Sequence, residues 1–123
     1  MGRLGISIYP EKTTSKEIYD YIDKAAENGF TRIFSCLLSV KDTKENIIKK
    51  FKSINEYAKF KGFEVILDVN PRVFGELEIS YKDLTFFKKT KADGIRLDIG
   101  FTGSEEALMT FNPQNLKIEI NMS

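Results

Sequence analysis

Apolar residues follow two alternating periods along this chain. Short segments alternate apolar and polar positions at every second residue, which predicts β-strands, and longer segments repeat apolar residues every three or four positions, which predicts helices. The predicted strands cover residues 2–10, 31–38, 63–70, 92–100 and 116–121. Strand and helix therefore alternate strictly, with five strands and four helices.

Polar capping residues indicate where the four helices begin. Capping boxes start at Thr14 and Asp42, each followed three residues later by a glutamate, and two further helix starts are predicted at Ser80 and Ser104. Pro71 follows the third strand, so we expect that strand to end in an extended conformation.

Three junctions share one composition. Gly29, Gly62 and Gly94 each stand between a predicted helix end and an apolar strand start, about thirty residues apart, which is the size of one βα unit. Such repetition predicts a parallel sheet.

Polar side chains recur late in each predicted strand, on one face. Arg96 and Asp98 share a face because successive strand residues point in opposite directions. The pattern also places on that face Ser7 and Tyr9, Ser35, Asp68 and Asn70, and Glu119 and Asn121. A doubly wound sheet would bury these charges under helices, whereas a (β/α)8 barrel points them into its site. We therefore predict an α/β fold in which residues 1–123 form the N-terminal part of a (β/α)8 TIM barrel.

The composition is that of an ordinary globular domain. A net charge of +1 argues against a nucleic-acid partner, and 41% apolar residues without a long apolar run argue against a membrane span. Cys36 is the single cysteine, and no charged-then-apolar leader precedes the first strand, so we expect a cytoplasmic protein.

The chain contains no histidine, which is the commonest general base and a frequent metal ligand. Chemistry must therefore use carboxylates, lysines, tyrosines or the backbone, and we expect neither a metal nor a cofactor. Without a histidine to activate it, Cys36 is interpreted as a small core residue.

Five segments together carry a family resemblance: LGISIYPE at 4–11, FSCLL at 34–38, DVNP at 68–71, GIRLDIGF at 94–101 and KIEIN at 117–121. They resemble the N-terminal half of the bacterial 6-phospho-N-acetylmuramidases. The resemblance implies a cytoplasmic glycoside hydrolase that cleaves N-acetylmuramic acid 6-phosphate from N-acetylglucosamine during peptidoglycan recycling. It also implies that the remaining barrel strands and a cyclophilin-like C-terminal domain lie outside residues 1–123.

Glycoside hydrolysis usually uses two carboxyl groups. Asp98 and Glu119 are the predicted catalytic pair, because consecutive barrel strands are neighbours about 4.8 Å apart. The structural alternative for Asp98 is an ion pair with Arg96 or with the neighbouring Lys117. We expect Arg96 to bind the carboxylate or phosphate of the sugar. Further substrate-binding residues are predicted at Tyr9, Glu11, Ser35, Asp68, Asn70 and Asn121.

Two other functions stay open at this point. A sugar-phosphate isomerase or epimerase on the same barrel would generally need a metal site. A truncated, non-catalytic fragment is the other alternative, and five strands of a barrel leave open edges through which such a chain can self-associate.

Overall fold

The structure is a computed structural model that describes residues 5–121. The predicted start of the first strand at residues 2–4 lies outside the described residues. The five strands are β1 (Gly5–Ile8), β2 (Arg32–Leu37), β3 (Glu64–Val69), β4 (Gly94–Leu97) and β5 (Lys117–Ile120). The five helices are α1 (Ser15–Glu27), α2 (Lys44–Phe60), α3 (Pro71–Leu77), α4 (Thr85–Lys89) and α5 (Gly103–Thr110).

The strands form one sheet in the order β1-β2-β3-β4-β5, and every neighbouring pair is parallel. Each strand therefore lies beside the strand that precedes it in the sequence. The register aligns Asp68 with Arg96, and Arg96 with Glu119. This register determines which side chains lie side by side across neighbouring strands, in what we call a row.

All five helices pack on one face of the sheet. Their buried residues, such as Ile22, Phe51 and Phe87, form a single apolar cluster with every second strand residue, including Ile33 and Leu67. This is the arrangement of a (β/α)8 barrel and not of a doubly wound sheet, which carries helices on both faces. The other face of the sheet holds most of the polar strand side chains.

The sheet curves toward that polar face. A guanidinium nitrogen of Arg32 on β2 donates to a carboxylate oxygen of Glu119 on β5, although β3 and β4 lie between them. In a flat sheet the backbones of these two strands would be about 14 Å apart, at about 4.8 Å for each strand spacing. Side chains on the concave face of a curved sheet converge, as in a barrel interior.

The first helix start is the one that the sequence predicts, and the second lies one residue later than the predicted Asp42. Thr14 and Thr43 are the N-cap residues of α1 and α2, and each side chain accepts a hydrogen bond at 3.2 Å from a backbone amide three residues later. Gly29 and Gly62 follow these helices with φ angles of 82° and 95°, a conformation that glycine adopts without strain.

The prediction of four helices was wrong by one. The additional helix is α3, whose first residue is Pro71, where its fixed φ suits a helix and its missing amide hydrogen costs nothing. Asn70, the residue before Pro71, has φ −127° and ψ 167°, which confirms the expected extended end of the third strand. The Asn70 side chain caps this helix by accepting from the Val73 amide at 3.0 Å. Asn70 is thus a helix N-cap as well as a strand-end residue.

The later helix starts also differ from the prediction. Ser80 does not cap a helix, since its hydroxyl accepts from the Lys82 amide in a turn and α4 begins only at Thr85. The capping box of α5 is Thr102 with Glu105, two residues before the predicted start at Ser104. Within residues 5–121, no helix is long and apolar enough to span a membrane.

Candidate functional site

The concave face of the sheet carries side chains of three kinds, arranged from the amino ends of the strands to their carboxyl ends. An ion cluster lies near the amino ends. An arginine that is bound to an aspartate lies in the middle, and the polar residues Asp98 and Asn121 lie at the carboxyl edge. From β1 to β5, the strand residues on this face are Gly5, Ser7, Arg32, Phe34, Cys36, Glu64, Ile66, Asp68, Gly94, Arg96, Lys117 and Glu119.

Four charged residues, Arg32, Glu64, Lys117 and Glu119, form an ion cluster. Arg32 donates to Glu64 at 2.8 Å and to Glu119, and Lys117 lies 3.3 Å from Glu64 and 3.5 Å from Glu119. Burial would raise the pKa of Glu64, but hydrogen bonds and charges from Lys117 and Arg32 outweigh it, and the pKa is lowered. Two cations therefore hold two carboxylates, so the cluster is electrically balanced.

Arg96 occupies the middle of the concave face. Its Nη2 and Nε donate to the two carboxylate oxygens of Asp68 at 2.8 and 3.3 Å, and its guanidinium carbon lies 3.9 Å from the centre of the Phe34 ring. The aspartate and the ring fix the plane of the guanidinium. Within residues 5–121, Arg96 uses two of the five N–H donors that a guanidinium has.

Cys36 lies beside this arginine pair and is buried. Burial, and after it the charge of Asp68, raise the pKa of the Cys36 thiol to about 11. The thiol is therefore protonated at neutral pH and is not a nucleophile. Its interpretation as a small core residue agrees with this environment.

Asp98 directly follows β4 and continues the ladder, since its amide donates to the Val69 carbonyl at 2.9 Å. Its Oδ1 accepts from the Ile99 amide at 2.9 Å and from the Asn121 side-chain amide at 3.4 Å. The Asn121 backbone amide in turn donates to Leu97 at 2.9 Å. Asp98 and Asn121 are therefore lateral neighbours at the carboxyl edge of the sheet.

Asp98 and Glu119 were expected to be neighbours across β4 and β5, but the register of these strands does not align them. Glu119 aligns with Arg96, and its carboxylate belongs to the ion cluster, so it lies one row closer to the amino ends of the strands than Asp98. The residue beside Asp98 is Asn121. A catalytic role for Glu119 stays a prediction.

Ser35 is on the opposite face from the one predicted. The register aligns it with Ile8 and Leu67, both of the helix-facing core, and its buried hydroxyl has no hydrogen-bond partner among the described residues. A single hydroxyl in an apolar strand does not indicate which face of the sheet it occupies. Arg32, Phe34 and Cys36 are the β2 residues on the concave face. Ser35 is therefore separated from the other candidates by the sheet.

The remaining predicted residues lie near the carboxyl edge. Asn70 donates to the Leu38 carbonyl at 3.0 Å, so its amide ties the ends of β2 and β3 together. Tyr9 follows β1 and is 43% exposed. Tyr9, Leu38 and Ile99 are exposed large apolar side chains that all follow strand ends.

Glu11 lies in the loop after β1 and contacts the loop after β2. Its Oε1 accepts from the Ser39 hydroxyl at 3.5 Å, and burial is the main cause that raises the pKa of its carboxyl. It lines a cavity of about 220 Å³ with residues of the α2 start, among them Asn46 and Ile47. The carboxyl connects two loops at the edge of the sheet.

Sequence reasoning missed Arg32, Glu64 and Phe34 as members of the polar face. A signal was available, because residues 32, 34 and 36 share a parity, as do residues 64, 66 and 68. The prediction considered polar residues late in each strand, whereas Arg32 and Glu64 are the first residues of β2 and β3. Within residues 5–121, no group of three or more cysteine, aspartate or glutamate side chains is placed to hold a metal ion.

Comparison with known proteins identifies the family of this chain. A family described as 6-phospho-N-acetylmuramidase, N-terminal, matches residues 4–123. A crystal structure of an uncharacterized B. cereus protein is 50% identical over 97% of this chain, with a TM-score of 0.75, and the chain spans 30% of its length.

A second solved structure, a conserved protein of unknown function from Enterococcus faecalis, is 20% identical over 95% of this chain. Its TM-score is 0.69, the chain spans 31% of its length, and the likeness shows the fold alone. No curated protein matches. The family match confirms the sequence-based resemblance and the barrel-type α/β fold, and the chain belongs to the 6-phospho-N-acetylmuramidase family, whose N-terminal part it represents.

Proposed function

We propose that this chain is the N-terminal part of a cytoplasmic glycosidase that cleaves N-acetylmuramic acid 6-phosphate from N-acetylglucosamine in peptidoglycan recycling. The family match over residues 4–123 supports the substrate class. The observation that carries the proposal is the position of Asp98, a carboxylate at the carboxyl edge of a concave parallel sheet, which is where barrel enzymes hold their catalytic groups.

Asp98 is the catalytic carboxylate that we assign to this segment. One of its oxygens accepts hydrogen bonds from two N–H donors, which orient the carboxylate. In glycoside hydrolysis an ionised carboxylate attacks the anomeric carbon or activates water, while a second, protonated carboxyl group protonates the leaving oxygen. Glu119 remains the sequence-based candidate for the second group.

Arg96 is assigned to an acidic substituent of the sugar, either the lactyl carboxylate or the phosphate. Asp68 and Phe34 orient the guanidinium before the ligand arrives, which lowers the entropy lost on binding. The exposed side chains of Tyr9, Leu38 and Ile99 provide an apolar rim suited to the carbon faces of a sugar ring. Glu11 is assigned to the rim of the same site.

The test is a hybrid protein in which residues 5–121 replace the matching segment of the 50% identical B. cereus protein. The hybrid and its parent are incubated with the phosphorylated disaccharide, and release of N-acetylglucosamine is measured. The same disaccharide without the phosphate is the control substrate. We expect both proteins to hydrolyse the phosphorylated substrate and Asp98→Asn to reduce the hybrid's rate at least about a hundredfold.

Two outcomes would contradict the proposal. If neither protein releases N-acetylglucosamine, the assigned reaction is wrong. If the hybrid is active and the folded Asp98→Asn variant keeps its rate, the reaction stands but the catalytic carboxylate is another residue.

A further inference from the structure

We infer that Asn121 is a positioning residue for Asp98: its side-chain amide holds one carboxylate oxygen so that the other faces the substrate. The inference rests on the proposed function, because it assigns roles to two residues of the same site.

The two residues are fixed by the sheet before their side chains meet. The Asp98 amide donates to Val69 on β3, and the Asn121 amide donates to Leu97 on β4, both at 2.9 Å. These ladder bonds set the lateral distance between the two side chains. The contact between them therefore does not depend on a flexible loop.

The two oxygens of Asp98 have different environments. Oδ1 accepts from the Ile99 amide at 2.9 Å and from the Asn121 amide at 3.4 Å. Oδ2 accepts no hydrogen bond from residues 5–121, and the Asp98 residue is half-buried. A carboxylate held at one oxygen can act at the other without first breaking a hydrogen bond.

Arg96 does not compete for this carboxylate. Its Nε and Nη2 donate to Asp68, and the described residues show no ion pair between Arg96 and Asp98. The alternative in which Asp98 only neutralises Arg96 is therefore not the arrangement observed. Among the described residues, the side chain that hydrogen-bonds to Asp98 is the amide of Asn121.

The kinetic constants KM and kcat separate the two possible roles of Asn121, which are contact with the substrate and positioning of Asp98. A residue that contacts the substrate equally in the ground state and the transition state changes KM, whereas a residue that positions a catalytic group changes kcat. Small misplacements of a catalytic group can cost up to about a hundredfold in rate.

The experiment measures kcat and KM of the active hybrid with Asn121→Asp and Asn121→Ala. Asn121→Asp keeps the shape but removes the amide donor and places a negative charge beside Asp98. Asn121→Ala removes the donor without adding charge. We expect both to lower kcat at least about tenfold with KM within about threefold, and Asn121→Asp to lower it more.

Gln114→Glu is the matched control. Gln114 donates to Asp83 at 3.2 Å in the loop that precedes β5, so this variant also replaces an amide donor by a carboxylate beside an aspartate, but at the other end of the strand. We expect it to leave kcat unchanged. Circular dichroism checks that every variant is folded. If Asn121→Asp does not fold, the kinetic constants of Asn121→Ala alone test the inference.

A rise in KM at unchanged kcat would overturn the inference, because Asn121 would then contact the substrate directly. Unchanged kcat and KM would overturn it as well. If Asp98→Asn abolishes turnover while the Asn121 variants keep theirs, only this inference fails. If Asp98→Asn keeps its turnover, the assignment of Asp98 in the proposed function fails with it.

Discussion

Arg96 donates two hydrogen bonds to Asp68, the residue aligned with it on the neighbouring strand. Within residues 5–121, the pair leaves the guanidinium charge-balanced but not saturated with acceptors. Glu119 of the ion cluster is aligned with Arg96, and Asp98 lies one row nearer the carboxyl edge. The part of the concave face beyond the pair is therefore the part available to a ligand.

Arg96→Lys tests whether this residue binds the substrate. Lysine keeps the charge but loses the planar fork that pairs with both oxygens of Asp68. In the hybrid we expect KM to rise about tenfold or more with kcat nearly unchanged. Lys82→Arg, an exposed change on the helix side, is the control. A lower melting temperature with normal KM would show that the Arg96–Asp68 pair is only structural.

Glu119→Gln separates a catalytic role from a structural one. Two cations, Arg32 and Lys117, hold this carboxylate, so the neutral amide should reduce the free energy of unfolding by on the order of 1 kcal/mol. Because Glu119 is the candidate for the second catalytic carboxyl group, we expect turnover of the hybrid to fall at least about a hundredfold. A folded variant that loses stability but keeps turnover within a few-fold would show that the role of Glu119 is only structural.

The ion cluster makes stability depend on pH through Glu64. Because its pKa is lowered on folding, its contribution to stability is present above its unfolded value of 4.5 and is lost as the pH falls through the lower folded value. We expect Glu64→Gln to be less stable than the wild type at pH 7 and the difference to shrink below pH 4.5. Urea unfolding at pH 7, 5 and 3 measures this, and a constant difference would contradict it.

Gly94 is required by the close approach of β4 and β5. A Cβ atom at this position would lie 2.8 Å from the Cβ of Lys117 and closer still to its carbonyl oxygen. We expect Gly94→Ala to destabilise the chain by about 1–3 kcal/mol. Gly75→Ala is the matched control, because nothing lies within 4 Å of its added Cβ and alanine favours the helix by roughly 0.5–1 kcal/mol. Equal effects of the two substitutions would refute the steric argument.

The 123-residue chain by itself is expected to self-associate. Within the described residues, β1 and β5 each pair on one side only, and Phe111 is 86% exposed beside a groove of about 580 Å³ lined also by Leu108. Light scattering after size-exclusion chromatography and binding of a hydrophobic dye measure this. A monodisperse monomer with a cooperative thermal transition would contradict the prediction.

The sequence predicted the sheet well because apolar periodicity and repeated glycine junctions are local signals. It predicted Asp98, Arg96 and Asp68 on one face for the same reason. The extended end of β3 before Pro71 was predicted correctly, but the helix that begins at Pro71 was missed, because one asparagine can end a strand and cap a helix at once.

The register between strands was not available from the sequence. Whether Asp98 lies beside Glu119 or Asn121 depends on a shift of two residues, which leaves the face of every side chain unchanged. Ser35 failed for a different reason, because a single hydroxyl does not outweigh the apolar pattern of its strand. The contact of Arg32 with Glu119 depends on sheet curvature, which no local pattern encodes.

The sequential strand order also bears on synthesis by the ribosome. Each strand pairs with the one made just before it, so the sheet can grow from β1 as the chain emerges. Glu64 on β3 becomes available to Arg32 well before Glu119 on β5 does. In the nascent chain, Glu64 can therefore pair with Arg32 before β5 exists. The contact between Arg32 and Glu119, which spans the curved face, forms only after β5 has been made.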